Sequence, residues 1–369
     1  MKILYGIPSE GMGHATRSKV IITHLIESGH DVRIATSDRA FDLMEKSFPG
    51  RCYRIEGFHL KYDQGTVDRS ASFQHILQSA PQGLLTNVEQ FLKLHQGDRP
   101  DVVISDFESF TYYFAKAHSL PLLSIDNMQV INRCDMGFQV PEEEDTNYRL
   151  AKGIIKAKVP FCNRYLVTSF FHAPPRKKNT TIIPPILRHS ILDAKKLSEE
   201  PPASHITVYQ TATSQADLIA GLQTLPQEKF LVYGFNREED HGNVQLRKFS
   251  EDGFIRDLAT GKAVITNGGF SLISEAVYLH RPICSFPLAG QFEQFVNGAQ
   301  VEQMGYGRRF STFHPDSVKS FLYDLGKFQN TISAYIQNGN VDTFAAVDAF
   351  LSEAAAGQFG MADMSTEDD

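Results

Sequence analysis

The sequence predicts an α/β chain of two doubly wound domains, each a parallel sheet flanked by helices. Three observations predict it. Short β-branched runs alternate with helix-length stretches through the first half, a polar segment marked by prolines interrupts them from Leu187 to Ser204, and a second alternating series begins at His205. The 369 residues suffice for two cores. The boundaries that follow are a first domain over 1–188, a linker over 189–204 and a second domain over 205–355. The small, polar, acidic tail over 356–369 is expected to be disordered.

The first domain opens with the apolar strand Lys2-Ile3-Leu4-Tyr5, which runs into the loop Ser9-Glu10-Gly11-Met12-Gly13-His14. A helix through Val20-Ile21-Ile22 and Leu25-Ile26 stops at Gly29, and Val32-Arg33-Ile34-Ala35-Thr36 supplies the next strand, giving a βαβ start. A dinucleotide fingerprint fails here. Thr16 stands where a third glycine should follow Gly11-x-Gly13, and Asp38 after the second strand does not replace it. Val102-Val103-Ile104-Ser105 reads as a short buried parallel strand, placing Asp106 at its carboxyl end, the edge where α/β folds put ligand chemistry. Asp106 reads either as a partner for a histidine, with Glu108 as its substitute, or as the cap of the helix from Ser109 to Ala117. Leu122-Leu123-Ser124-Ile125 ends in the same way at Asp126-Asn127, which either touch a substrate or turn the chain.

The second series starts with His205-Ile206-Thr207-Val208-Tyr209, and its loop carries Thr211 and Ser214, hydroxyl side chains suited to a phosphate. Phe230-Leu231-Val232-Tyr233 is another strand. Val264-Ile265-Thr266-Asn267-Gly268-Gly269-Phe270-Ser271 reads as strand, glycine turn and helix start. Adjacent glycines let the backbone turn tightly and approach a ligand, and the N–H groups of a helix start suit a diphosphate. Glu275 lies about one turn inside that helix, where a carboxylate accepts hydrogen bonds from ribose hydroxyls. Such turns also occur in α/β folds with no ligand. Thr343 to Ala355 is helical.

Composition excludes several classes. With 36 Lys and Arg against 43 Asp and Glu, the net charge of −7 gives no nucleic-acid footprint. No apolar run reaches the length of a membrane span and no signal peptide precedes the first strand, so a cytoplasmic protein is expected. Cys52, Cys134, Cys162 and Cys284 lack Cys-x-x-Cys spacing, which predicts neither disulfide nor zinc. One basic stretch, Arg149, Lys152, Lys156, Lys158 and Arg164 around Ile154-Ile155, followed by Arg176-Lys177-Lys178, reads as a solvated helix face or as a peripheral contact with anionic membrane.

The block from Arg281 to Gly307, containing Pro287, Glu293-Gln294, Asn297 and Glu302, follows the Gly268-Gly269 turn and Glu275 in an order and spacing that resemble the donor-binding signature of GT-B glycosyltransferases. Families 1 and 28 are the nearest in pattern. The run Gly-Met-Gly-His-Ala-Thr-Arg over 11–17 is similar to a little-characterised prokaryotic branch related to the glucuronosyltransferases. The resemblance implies two Rossmann-like domains facing a cleft, with a hydroxyl acceptor on the first and a nucleoside diphosphate sugar, a UDP-sugar foremost, on the second. It implies His14 as general base and Asp106 as its carboxylate, with Gly11, Gly13, Glu108, Asp126 and Asn127 on the acceptor side; the alternative for His14 is a helix cap or a hydrogen bond to a phosphate oxygen. On the donor side it implies Thr211, Ser214, Gly268, Gly269, Phe270, Ser271, Glu275, Glu293, Gln294 and Asn297. Ser250-Glu251-Asp252-Gly253-Phe254 resembles the loop that holds the nucleobase, with a solvated turn as the alternative, and the last helix of such chains returns to the first domain.

The activity so implied is inverting, metal-independent sugar transfer without a cofactor, to an acceptor such as a glycolipid or envelope glycan, including a lipid-linked one. Leaving-group charge would then be met by helix-start N–H groups; the lack of any Asp-x-Asp pair agrees. Two other classes share the donor site. A nucleotide-sugar epimerase would turn over donor without acceptor, and a non-catalytic nucleotide-sugar sensor would have no use for His14 and Asp106.

Overall fold

The structure, a computed structural model, describes residues 1–9, 12–56, 61–63, 66–68, 86–97, 99–210 and 215–359. Its contacts divide the chain into two units: Met1–Tyr62, Asp68–Ile186 and Gly339–Asp369 in the first, Asp63–Val67 and Leu187–Asn338 in the second.

In the first unit the strands are β1 (Lys2–Gly6), β2 (Asp31–Thr36), β3 (Cys52–Arg54), β6 (Val102–Ser105), β7 (Leu122–Asp126), β8 (Arg164–Thr168) and β9 (Thr180–Ile183). A separate pair, β4 (Lys61–Asp63) and β5 (Thr66–Asp68), stands outside that sheet. The seven strands lie in the order β3-β2-β1-β6-β7-β8-β9, every pairing parallel. Parallel sheets are covered on both faces, which is why Val102–Ser105 and Leu122–Asp126 are unbroken buried runs. The helices are α1 (Met12–Glu27), α2 (Asp38–Ser47), α3 (86–96), α4 (Ser109–Ala117), α5 (Val130–Arg133) and α6 (Asp145–Lys158). Chain order reverses between β1 and β6, so the loops after these two strands open at a topological switch point, where doubly wound sheets place ligands.

The second unit repeats the plan. Its helices before the sheet are α7 (His189–Asp193) and α8 (Lys195–Ser198). Then come β10 (His205–Tyr209), α9 (Gln215–Gln223), β11 (Lys229–Tyr233), β12 (Glu239–His241), β13 (Val244–Leu246), α10 (Glu251–Thr260), β14 (Ala263–Thr266) and α11 (Phe270–Tyr278). The unit ends with β15 (Ile283–Ser285), α12 (Phe292–Gln303), β16 (Gly307–Arg309), α13 (Pro315–Tyr323) and α14 (Leu325–Ile332). The sheet order is β12-β13-β11-β10-β14-β15-β16, parallel except for the β12–β13 hairpin. Here the order reverses between β10 and β14, which sets the carboxyl ends of these two strands side by side.

The core of the first unit joins Ile3, Tyr5, Ile34, Ile104 and Leu123 from the sheet to Ile21, Ile22 and Leu25 of α1 and to Val347, Phe350 and Leu351 of α15 (Val341–Ala355). The last helix of the chain is thus built into the first unit. There His24 stacks on Phe344 at 4.1 Å, and its Nε2 lies 2.9 Å from Asp348 Oδ1. Residues 356–359 continue that packing, with the Phe359 ring 5.0 Å from Phe350; residues 360–369 of the acidic tail lie outside the described residues.

The segment expected as a linker holds α7 and α8, which group with the second unit. Ile191 is fully buried there. The buried Arg281 guanidinium donates to the carbonyls of Ser198 at 2.6 Å and Ala259 at 2.5 Å, tying α8 to α10. Polarity and prolines alone gave no sign of that anchorage.

Candidate functional site

At the switch point of the first unit, Asp106 N donates to Gly6 O (2.9 Å), fixing the end of β6 against the end of β1. Phe107 then takes a left-handed backbone (φ +58) and turns the chain sharply into α4, leaving the Asp106 carboxylate facing α1. Three side chains within about one turn of α1 meet it. His14 Nδ1 lies 2.8 Å from Asp106 Oδ1. Arg17 donates from Nε to Oδ2 (2.8 Å) and from Nη2 to Oδ1 (2.5 Å), and Ser18 Oγ donates to Oδ2 (2.9 Å). The remaining arm of Arg17, Nη1, donates to Asn127 Oδ1 at 2.5 Å.

The carboxylate and the guanidinium of this cluster are buried. The Asp106 side chain is 1% exposed and Arg17 5%, whereas His14 is 18% exposed and its Nε2 has no partner among the described residues. Burial alone would raise the Asp106 carboxyl, but the Arg17 guanidinium and then His14 hold it well below the usual carboxylate range. Asp126, equally buried, goes the other way: burial raises it, against the pull of Arg17. The two strand-end carboxyls therefore differ in kind. Asp106 is an ionised partner for an imidazole, while Asp126 accepts from Ser124 Oγ and Gln129 N, both at 2.8 Å, and shapes the turn after β7.

Glu108 does not join the cluster. Its carboxylate caps α4, accepting from Phe110 N (2.7 Å), Thr111 N (2.8 Å) and Thr111 Oγ1 (2.9 Å). Both oxygens are occupied two residues beyond Asp106, so it is not a substitute for that carboxylate. Gly13 lies in the first turn of α1; Gly11 lies outside the described residues.

In the second unit, β14 leads through Asn267 to Gly268, whose φ of +97 is a conformation that favours glycine. The turn is braced. Asn297 Nδ2 donates to Gly268 O (3.0 Å), and Gln294 Oε1 accepts from Leu288 N (3.0 Å). Asn267 Nδ2 donates to Gln210 Oε1 and, at 3.3 Å, to Phe286 O, linking the carboxyl ends of β10, β14 and β15. Glu293 Oε1 lies 3.4 Å from Asn297 Nδ2. Gly269 is the N-cap of α11; no side chain caps it and no acidic residue sits in the first turn, which begins Phe270-Ser271. With no acidic side chain in its own first turn, the positive end of that helix dipole has a character that suits an anion. A Cβ at Gly268 would stand 3.0 Å from both Gln294 O and Ser285 Oγ in a backbone strained for any L side chain. Gly268→Ala is expected to lower stability by about 1–3 kcal/mol, measurable as a lower urea midpoint with unchanged slope.

Glu275 sits on α11 with both carboxylate oxygens on one guanidinium: Arg188 Nε to Oε1 at 2.8 Å and Nη2 to Oε2 at 2.9 Å. Arg188 Nη1 also donates to Glu251 Oε1 (3.0 Å). Burial works against the Arg188 charge, yet Glu275 and Glu251 raise its pKa above the ordinary value. Any hydroxyl that Glu275 accepts must use the lone pairs left by this pair. Phe254, expected in a loop, lies inside α10. Ser250 caps that helix through Gly253 N, and the buried Phe254 ring packs 5.0 Å from Tyr233 and 5.9 Å from Tyr209. Thr211 and Ser214 lie outside the described residues.

Much of the basic stretch on α6 and beyond has partners in the chain: Arg149 with Asp145, Arg164 with Glu353, Arg176 with Asp135, and Lys158 over the Phe107 ring. Among the described residues no helix is long and apolar enough to cross a membrane. The four cysteines are free, and burial pushes the Cys134 and Cys162 thiols up to about 12.

Sequence reading missed Arg17, Ser18 and Arg188. Arg17 had a signal: it lies one helical turn from His14, on a helix whose other buried positions are mostly apolar. Arg188 had none, because its partner is 87 residues away.

The profile of glycosyl transferase family 1 matches residues 1–326. An uncharacterised glycosyltransferase of Methanosarcina acetivorans is 27% identical over 355 residues, 86% of this chain and 88% of that protein. The glycotransferase of kitacinnamycin superposes with a TM-score of 0.63 at 18% identity, covering 95% of this chain and 98% of its own. Phytolacca americana UGT2, complexed with UDP-2fluoro-glucose and pterostilbene, gives 0.62 at 14% identity over 96% and 100%. At such identities the solved structures speak to the fold, two parallel-dominated α/β units of the GT-B type. With the profile matching most of its length, the chain belongs to glycosyl transferase family 1 and is a glycosyltransferase.

Proposed function

We propose that this glycosyltransferase is inverting and metal-independent, and that it moves a sugar from a UDP-sugar to a hydroxyl acceptor. The observation that carries the reading is the 2.8 Å contact of His14 Nδ1 with the buried carboxylate of Asp106. With Nδ1–H donated to Asp106, the Nε2 lone pair is free to take the acceptor's proton. The acceptor oxygen then bonds to the anomeric carbon on the face opposite the diphosphate. The bond from that carbon to the phosphate oxygen breaks, and its electron pair leaves with the diphosphate. The uncapped start of α11 at Gly269-Phe270-Ser271 supports a diphosphate held by backbone N–H groups and helix dipole. Gln294, Glu293 and Asn297 are read as sugar or phosphate contacts, and Glu275 as the ribose contact. The base is read as uracil, the base in the complex of the Phytolacca americana enzyme.

Melting the protein without metal in the presence of UDP, TDP, GDP, CDP, ADP and NADH tests this. A ligand at 100 times its dissociation constant stabilises by ~2.7 kcal/mol. A shift selective for UDP is the expected result; a shift with NADH alone, or with none, overturns the donor assignment. Given a turned-over acceptor, NMR of the product must show the anomer opposite to that of the donor.

A further inference from the structure

His14 Nδ1 has two neighbours of opposite kind at the same distance. Asp106 Oδ1 lies 2.8 Å away and can only accept; Arg17 Nη2 lies 2.8 Å away and can only donate. One ring nitrogen cannot satisfy both at once. With a proton on Nδ1 the ring donates to Asp106 and leaves Nε2 basic. With the lone pair on Nδ1 the ring accepts from Arg17, and the proton sits on Nε2. Either neutral tautomer is therefore served. The doubly protonated ring keeps the same Nδ1–H contact with Asp106 but adds a positive charge against a guanidinium whose Nη2 stands 2.8 Å from that nitrogen, and like charges so placed disfavour it.

Arg17 acts on the carboxylate as well. Its Nε and Nη2 take both oxygens of Asp106, so the imidazole faces a neutral ion pair instead of a bare buried carboxylate. The guanidinium is itself fixed. Burial disfavours its charge, but Asp106, followed by Asp126, raises its pKa above the ordinary arginine value, and Asn127 holds its third arm. Among the described residues the charged groups facing His14 are Asp106 after β6 and Arg17 on α1. Asp126 from β7 and Tyr5 from β1 act on Arg17 behind them.

We propose that Arg17 is a positioning residue that keeps His14 neutral and releases its proton, by setting a guanidinium charge against the ring and cancelling the charge of the Asp106 carboxylate. A base must give up the proton it takes, and a lone buried carboxylate would hold the imidazolium. The proposal deepens the reading of His14 as base, and rests on it only for the kinetic consequence.

Two measurements test it on the full chain. The first needs no substrate. In 15N-histidine-labelled protein, with the His14 signals identified by their loss in His14→Ala, Arg17→Met is expected to increase the share of His14 protonated on both ring nitrogens at a given pH near neutrality. An unchanged or smaller share in a folded variant overturns the proposal. The second is the acidic limb of the kcat/KM profile, expected to move up by about one pH unit in Arg17→Met, with activity recovering toward wild type at alkaline pH. A limb that stays or moves down overturns the kinetic consequence.

Arg17→Lys keeps the buried charge but cannot reach Asp106, Asn127 and His14 together. It serves if the methionine variant does not fold, and its limb should move the same way by less; no movement counts against the proposal. If His14→Ala still transfers sugar while Arg17→Met raises double protonation, the base reading falls and the role of Arg17 stands.

Discussion

His14→Ala is expected to lose sugar transfer by about 10²–10⁴-fold, the usual worth of a positioned general base, while the dissociation constant for the nucleotide stays near wild type. His14 is on the first unit, with one nitrogen committed to Asp106 and the other without a partner among the described residues; the glycine turn and the start of α11 read as the donor site are on the second. Removing the ring is therefore expected to delete proton transfer while leaving that turn and helix start intact. Stability should change little, because the ring is only partly buried and Asp106 keeps its three bonds to Arg17 and Ser18. Isothermal titration with UDP, beside a coupled assay of UDP release, separates the two effects. An equal loss of binding and turnover would make His14 a binding group that contacts the donor's phosphate. Partial recovery by added imidazole would identify the lost function as proton transfer.

How much of this was legible follows from the range of each interaction. The strands were, because a parallel strand covered on both faces must be apolar throughout, as Val102–Ser105 and Ala263–Thr266 are. Asp106 was legible as a strand-end carboxylate, and His14 as a polar residue at a glycine loop. Their pairing across 92 residues followed only from family resemblance, until the sheet order put β1 beside β6. The local capping chemistry was legible in principle and was outweighed by resemblance. Ser250 followed by Glu251 and Asp252 is a helix start, so Phe254 belongs to α10 and its ring to the core. Glu108 likewise precedes an apolar helix whose N–H groups it takes. Arg188 was not legible as a network member, and Arg17 only through its spacing from His14, because a charged side chain is buried only where a partner meets it. Those partners lie 87 and 89 residues away.

Asp106→Asn should reduce transfer as strongly as any single change, on the order of 10⁴-fold, the size seen when a carboxylate that orients a catalytic imidazole becomes an amide. The amide offers one acceptor and one donor where Arg17 Nε, Arg17 Nη2, Ser18 Oγ and His14 Nδ1 all present themselves to two carboxylate oxygens. One end of the side chain then sets donor against donor, and His14 is pushed toward the tautomer with its proton on Nε2, which cannot act as a base. The buried Arg17 is also left without its counter-ion, a loss of about 3–5 kcal/mol for a broken buried pair. That loss has a pH dependence of fixed sign. Because the folded-state pKa of Asp106 lies below the unfolded value of ~3.9, its contribution is fully present above that value and disappears as pH falls toward the lower, folded-state one. The stability gap between wild type and Asp106→Asn, measured by urea unfolding, is therefore expected to be constant from pH 7 down to about 5 and to narrow below about 4. A gap that widens on acidification would mean that Asp106 is protonated in the folded protein. An imidazole beside a neutral acid could not be held as this one is.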